Sequence, residues 1–182
     1  MVKKVAAKKE PKLKFDKFST YKGDVDSALS DAYSMIQDLG SEFREICDNT
    51  SENLQQSDLY NRRDETASAC EGLSEPSVNS SILGDLEVDA SQDNGKVYRG
   101  RQNQSRACRA GNAAAIFTAC AETVQQWVEE NPPLKKRIKE SKASYGSVKE
   151  FEEAHEEAQE LIDACEEIAN EIENMEWPGM FG

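Results

Sequence analysis

The sequence predicts a mainly α protein, an antiparallel bundle of about four helices, and three observations carry that expectation. Phe151, Ala154, Ala158, Leu161, Cys165, Ile168, Ile172 and Met175 step by alternating threes and fours. That is the spacing of a helix that buries one seam against its neighbours. A second stripe, Val25, Leu29, Ala32, Ile36, Leu39, Phe43 and Ile46, repeats the pattern. Only 37% of the 182 residues are apolar, and the seams are rich in Ala and Cys, which fits helices in close contact rather than a large aromatic core.

Each element follows from local chemistry. Residues 1–20 read as a basic flexible tail, 21–176 as a single helical domain and 177–182 as an apolar C-terminal tail. The first helix runs from about Asp24, a suitable N-cap after Gly23, to Cys47, and Asp48-Asn49-Thr50-Ser51 breaks it. A second helix covers Ser57 to Leu73, with Arg63 and Thr66 interrupting its stripe and Glu75-Pro76 ending it. In the 84–100 region, Leu86-Glu87-Val88 and Lys96-Val97-Tyr98 alternate around Asp93-Asn94-Gly95. A short β-hairpin closed by the Asn-Gly turn is one option and an irregular loop the other. A third helix ends at Glu130, before Asn131-Pro132-Pro133, and starts either at a Ser105 cap or at Asn112. A short basic helix is expected over Leu134 to Lys139, broken by Tyr145-Gly146. The last helix opens with Ser147 and Glu150, a capping-box pattern, and Pro178 stops it.

Charge narrows the function classes. The net charge of −13 is split: residues 1–18 carry seven Lys and two acids, while the other 164 residues carry 15 bases and 33 acids. An acidic body argues against general nucleic-acid binding and against adhesion to anionic membranes. The Lys-rich start lacks the apolar core of a secretory signal, and no stretch is long enough to span a bilayer, so a cytoplasmic protein is expected. Five cysteines (47, 70, 108, 120 and 165) include no CxxC pair, and they read as buried thiols of a reducing compartment. The one histidine, His155, has no Cys close in sequence, so no metal and no cofactor is expected. P-loop, GxGxxG, HExxH and GxSxG patterns are absent, and with them the main sequence grounds for an enzyme.

Three sets of residues are candidates for function. Between Glu150 and Glu176 there are twelve acids and no Lys or Arg. Glu152, Glu156 and Glu160, four apart, mark a face that either simply solvates the protein or docks a basic partner. Arg99, Arg101, Arg106 and Arg109 form the one basic island of the body. In a helix capped by Ser105, Arg106 and Arg109 sit at the positive end of the dipole, and either the protein's own acids or a bound anion such as a nucleotide or phosphate must compensate. Trp177, Met180 and Phe181 either plug the end of the bundle or anchor a partner.

Three stretches carry a resemblance: Asn49-Thr50-Ser51-Glu52-Asn53-Leu54-Gln55, then Ser105-Arg106-Ala107-Cys108-Arg109 with Asn112-Ala113-Ala114, and the end Glu176-Trp177-Pro178-Gly179-Met180-Phe181-Gly182. Together with the Lys/Ala-rich start they resemble uncharacterised small helical proteins encoded by bacteriophages and prophages. The resemblance implies an origin and a host cytoplasm, not an activity. The sequence therefore predicts a non-enzymatic protein-interaction module that binds a host macromolecule, either basic or nucleic-acid-handling, through an acidic surface. The alternatives are a nucleotide or anion binder using the Arg cluster, and a homo-oligomeric assembly protein whose basic tail touches nucleic acid.

Overall fold

A computed structural model describes residues 15–98, 101–133 and 145–179, with side chains placed at all of these except 98, 101 and 145–147. The chain is mainly helical, with two small antiparallel sheets. Strand β1 (Phe18–Asp24) leads into helix α1 (Val25–Asp48), and a single 3₁₀ turn at Glu52–Leu54 precedes α2 (Asp58–Gly72). The one-turn α3 (Ser81–Gly84), β2 (Glu87–Asp93), β3 (Lys96–Tyr98) and β4 (Arg101–Asn103) follow. Two long helices complete the chain, α4 (Arg106–Glu130) and α5 (Tyr145–Asn174). The expected short basic helix at 134–139, most of the basic tail, Arg99, Met180 and Phe181 lie outside the described residues.

Capping sets the helix starts. Asp24 accepts from the Ser27 N–H at 2.8 Å, Ser57 from Tyr60 N–H at 3.2 Å and Ser105 from Cys108 N–H at 3.1 Å. The Ser105 cap resolves the start of the third long helix in favour of the earlier position. The capping box at Ser147 does not form, because α5 already begins at Tyr145. Gly146 is tolerated there: first-turn N–H groups have no intrahelical acceptor, so a poor helix former loses little.

The 84–100 region forms strands and the expected short antiparallel pair is present as β3 with β4, while Leu86–Val88 and Lys96–Tyr98 do not pair with each other. β2 pairs antiparallel with β1, from Phe18 opposite Asp93 to Asp24 opposite Glu87, and β3 pairs with β4. The sheet thus takes in residues 18–20, which sequence reading assigned to the tail. Val88 and Ala90 point inward from β2, while Glu87, Asp89 and Ser91 face solvent. Asn94 and Gly95, the latter at φ +76°, connect β2 to β3 without pairing the two. A Cβ at Gly95 would lie 2.2 Å from the Asn103 carbonyl oxygen, so only glycine fits.

Asn112, a buried residue of α4, fixes the end of β2. Its Oδ1 accepts from the Asp93 N–H at 2.8 Å and its Nδ2 donates to the Asp93 carbonyl at 3.0 Å, so its amide replaces the missing next strand.

The core is one continuous cluster with α4 at its centre. α4 packs against α1, α5 and β2, and α2 packs on the far side of α1. The predicted seams are buried: Val25, Leu29, Ala32, Ile36, Leu39 and Phe43 from α1, and Ala154, Ala158, Leu161, Cys165, Ile168 and Ile172 from α5. Phe151, Ile46 and Met175 lie at the rims of their seams and are half-buried. The α1–α2 crossing is close enough that a Cβ on Gly40 would stand 2.7 Å from the Cys70 Cβ.

Two substitutions test this packing. Gly40→Ala should gain about 1 kcal/mol of helix propensity. The clash should reverse that, since overpacking costs about 1–3 kcal/mol, and urea unfolding should show a net loss of stability. Asn112→Ala should cost about 1–3 kcal/mol by stranding the Asp93 N–H, while the Asp93 carbonyl keeps Gln104 Nε2 as a donor, and amide exchange at the end of β2 should be faster.

Candidate functional site

Two surfaces collect the residues that the sequence singled out. The first is a cleft at the start of α4. There Arg106 Nε donates to Glu42 Oε2 at 3.1 Å, and Arg109 Nη2 lies 2.7 Å from the same carboxylate. The Arg106 guanidinium also stands over the buried Phe43 ring, 4.9 Å from its centroid. Burial alone would raise the Glu42 carboxyl, but the hydrogen bonds and charges of Arg109 and Arg106 outweigh it and hold the group below the usual carboxylate range. Gln104, Ser105, Ala107, Trp177, Pro178 and Gly179 complete a cleft of about 390 Å³.

Trp177 brings the C-terminal segment to that cleft. Its ring packs against Phe43 with centroids 6.4 Å apart, and its Nε1 donates to the Ile172 carbonyl at 3.1 Å, satisfying an open carbonyl at the end of α5. The segment is tied down again by α2. Thr66 Oγ1 donates to the Glu176 carbonyl at 2.9 Å, Arg62 Nε pairs with the Glu176 carboxylate at 2.6 Å, and Arg63 Nη2 donates to the Gly179 carbonyl at 3.0 Å. Of the expected basic island, then, Arg106 and Arg109 meet each other and Trp177. Arg101 lies on β4 with its side chain outside the described residues, as is Arg99.

The second surface is the outer face of α5. Glu150, Glu153, Glu156, Glu157 and Glu160 form one wall of a groove of about 640 Å³, and Asn79, Ser80 and Ser81 form the other. Glu157 is committed to the fold. Its carboxylate accepts from Asn79 N–H at 2.5 Å and Ser80 N–H at 2.9 Å, which ties the chain just before α3 to α5. Glu153 pairs with Lys149 at 2.7 Å. Glu156 and Glu160 are exposed, and among the described residues they have no ion-pair partner. Glu152 is half-buried and does not line the groove, so the predicted row of Glu152, Glu156 and Glu160 is split.

Nucleophile and metal chemistry find no support among the described residues. Cys47, Cys70, Cys120 and Cys165 are buried, and burial pushes Cys120 and Cys165 up to about 12 and Cys70 to about 11. The thiolate is the reactive form, so these are packing groups at neutral pH. His155 sits between Trp127 and Phe151, 4.8 Å from each ring centroid. No group of three or more His, Cys, Asp or Glu among the described residues could hold a metal ion. No described helix is long and apolar enough to cross a membrane.

Sequence reading missed Glu42 and Asn79–Ser81. Glu42 pairs with arginines 64 and 67 residues away, and nothing around it marks that pairing. Asn112 did leave a trace, as a lone amide inside the apolar run of α4. No family model, no curated protein and no solved structure matches this chain.

The Glu42 pairing gives a pH signature. A carboxyl whose folded pKa is depressed contributes stability above its unfolded pKa, and that contribution is lost as pH falls through the folded value. Thermal melts of the wild type and Glu42→Gln should therefore differ at neutral pH and converge as pH drops below the usual carboxylate range.

Proposed function

We propose that the protein is a non-enzymatic interaction module that binds a basic macromolecular partner along the outer face of α5. The groove walled by Glu150, Glu153, Glu156, Glu157 and Glu160 supports this reading most. The seam of the same helix is already buried inside the bundle, so the acidic face, Glu157 apart, is not required for packing. Like charges four apart cost an isolated helix roughly 0.2–0.5 kcal/mol per pair, and a cationic partner relieves that repulsion. Exposed ion pairs are worth at most about 1 kcal/mol each. Binding must therefore draw on several carboxylates at once and weaken steeply with salt.

The resemblance to phage-encoded proteins makes a host nucleic-acid-handling or defence protein, met in the host cytoplasm, the partner class to try first. A Lys/Arg-rich segment laid in the groove would place its cations against Glu156 and Glu160 and its backbone beside Asn79–Ser81.

Fluorescence anisotropy with a labelled Lys/Arg-rich peptide at low salt tests this. Glu156→Lys with Glu160→Lys changes two exposed side chains and should leave the fold intact while weakening binding at least about tenfold. Glu45→Lys with Asp48→Lys, equally exposed but on α1, should change it far less. Equal losses from both pairs would reduce the interaction to net charge and remove the groove from the account.

A further inference from the structure

We propose that the cleft between the start of α4 and the Trp177–Gly179 segment binds a small phosphate oxyanion, either inorganic phosphate or the terminal group of a phosphate monoester. Arg106 and Arg109 hold it, and Glu42 is its internal competitor. The inference does not depend on the acidic groove.

The charge count in the cleft is unbalanced. Two guanidiniums share one carboxylate, and no other acid among the described residues lines the space. Each guanidinium carries its donors in a rigid fork suited to a phosphate. Only Arg106 Nε and Arg109 Nη2 are used on Glu42, and the remaining N–H groups of both have no acceptor among the described residues. The backbone N–H groups of Arg106 and Ala107, the first two of α4, likewise have none.

The arginines are also held in place before any ligand arrives. The Arg106 side chain is 22% exposed and lies over Phe43, and the Arg109 side chain is 30% exposed and fixed by Glu42. Holding two cations together at the positive end of a helix is unfavourable. One carboxylate offsets only part of that, and a phosphate would supply the rest through paired N–H···O bonds. The cleft volume of about 390 Å³ admits phosphate with room for an attached group, and Trp177 offers that group an apolar wall. The body's net negative charge opposes the approach of an anion only at long range, because salt screens it beyond about 8 Å at physiological ionic strength.

Glu42 gives the proposal its sharpest test, since an oxyanion must share or displace it. Isothermal titration calorimetry with inorganic phosphate and with adenosine monophosphate, against sodium chloride at matched ionic strength, should show saturable binding. Glu42→Gln, which keeps an acceptor oxygen to position both guanidiniums but removes the competing charge, should tighten it about tenfold. Arg109→Lys, which keeps the ion pair with Glu42 and so the fold, should weaken it by a similar factor, because an ammonium lacks the fork. A tighter constant for adenosine monophosphate than for phosphate assigns the site to monoesters, and equal constants assign it to inorganic phosphate. If phosphate behaves like chloride, or if Glu42→Gln folds without gaining affinity, the arginines are a structural ion pair and the proposal fails.

Discussion

The close approach of three neighbours to α4 is the constraint on which the rest of the molecule depends. Ala110, Ala113, Ala114, Cys120 and Ala121 are buried on that helix beside Ile116, Phe117 and Val124, and the small residues let α1, α5 and β2 all come close to it. Each small contact contributes little. Burial is worth roughly 0.8 kcal/mol per methylene, so the bundle relies on many close contacts more than on a few large side chains. The same logic explains the cysteines. The buried thiols of Cys70, Cys120 and Cys165 pack as small apolar groups, and burial keeps them protonated.

A lean interior has electrostatic consequences outside. With the seam of α5 committed to the core, its remaining positions carry eleven acids against the single base Lys149, and few of the acids are neutralised among the described residues. The other surface, at the start of α4, is built the opposite way: its cations are held half-buried and partly matched. The protein therefore presents one extended face that attracts cations and one compact cleft that attracts an anion. The two differ in how they should respond to salt. The exposed face is screened at physiological ionic strength, and the sheltered cleft much less.

The helices were legible because their signals are local. The α1 stripe from Val25 to Phe43, the Asp24 cap and the α5 seam each lie within one segment, and the structure reproduces them. The β1–β2 sheet was not legible, because its strands meet across 75 residues at Phe18 and Asp93, and the Asn-Gly pair lends itself to a β2–β3 hairpin that does not form. What that pair cannot reveal is that Asn112, on a helix nearly 20 residues further on, captures the backbone of Asp93. The arginine cleft was half legible. The helix dipole calls for an anion near Arg106 and Arg109, and the structure supplies Glu42 from a helix whose own pattern gives no hint of it.

The ties between α2 and the segment after α5 bear on how the chain folds. α2 buries only Thr66, Ala67 and Cys70, so it has little apolar surface with which to hold its place. Part of what holds it comes from Glu176 and Gly179, more than a hundred residues later. As the chain leaves the ribosome, Arg62, Arg63 and Thr66 are synthesised long before these partners exist. Contacts so distant in sequence form late and slowly. α2 therefore has its ties to α1, among them Arg44 with Asp64 and Glu71, available first, and its remaining hydrogen bonds form only after synthesis has run past the end of α5.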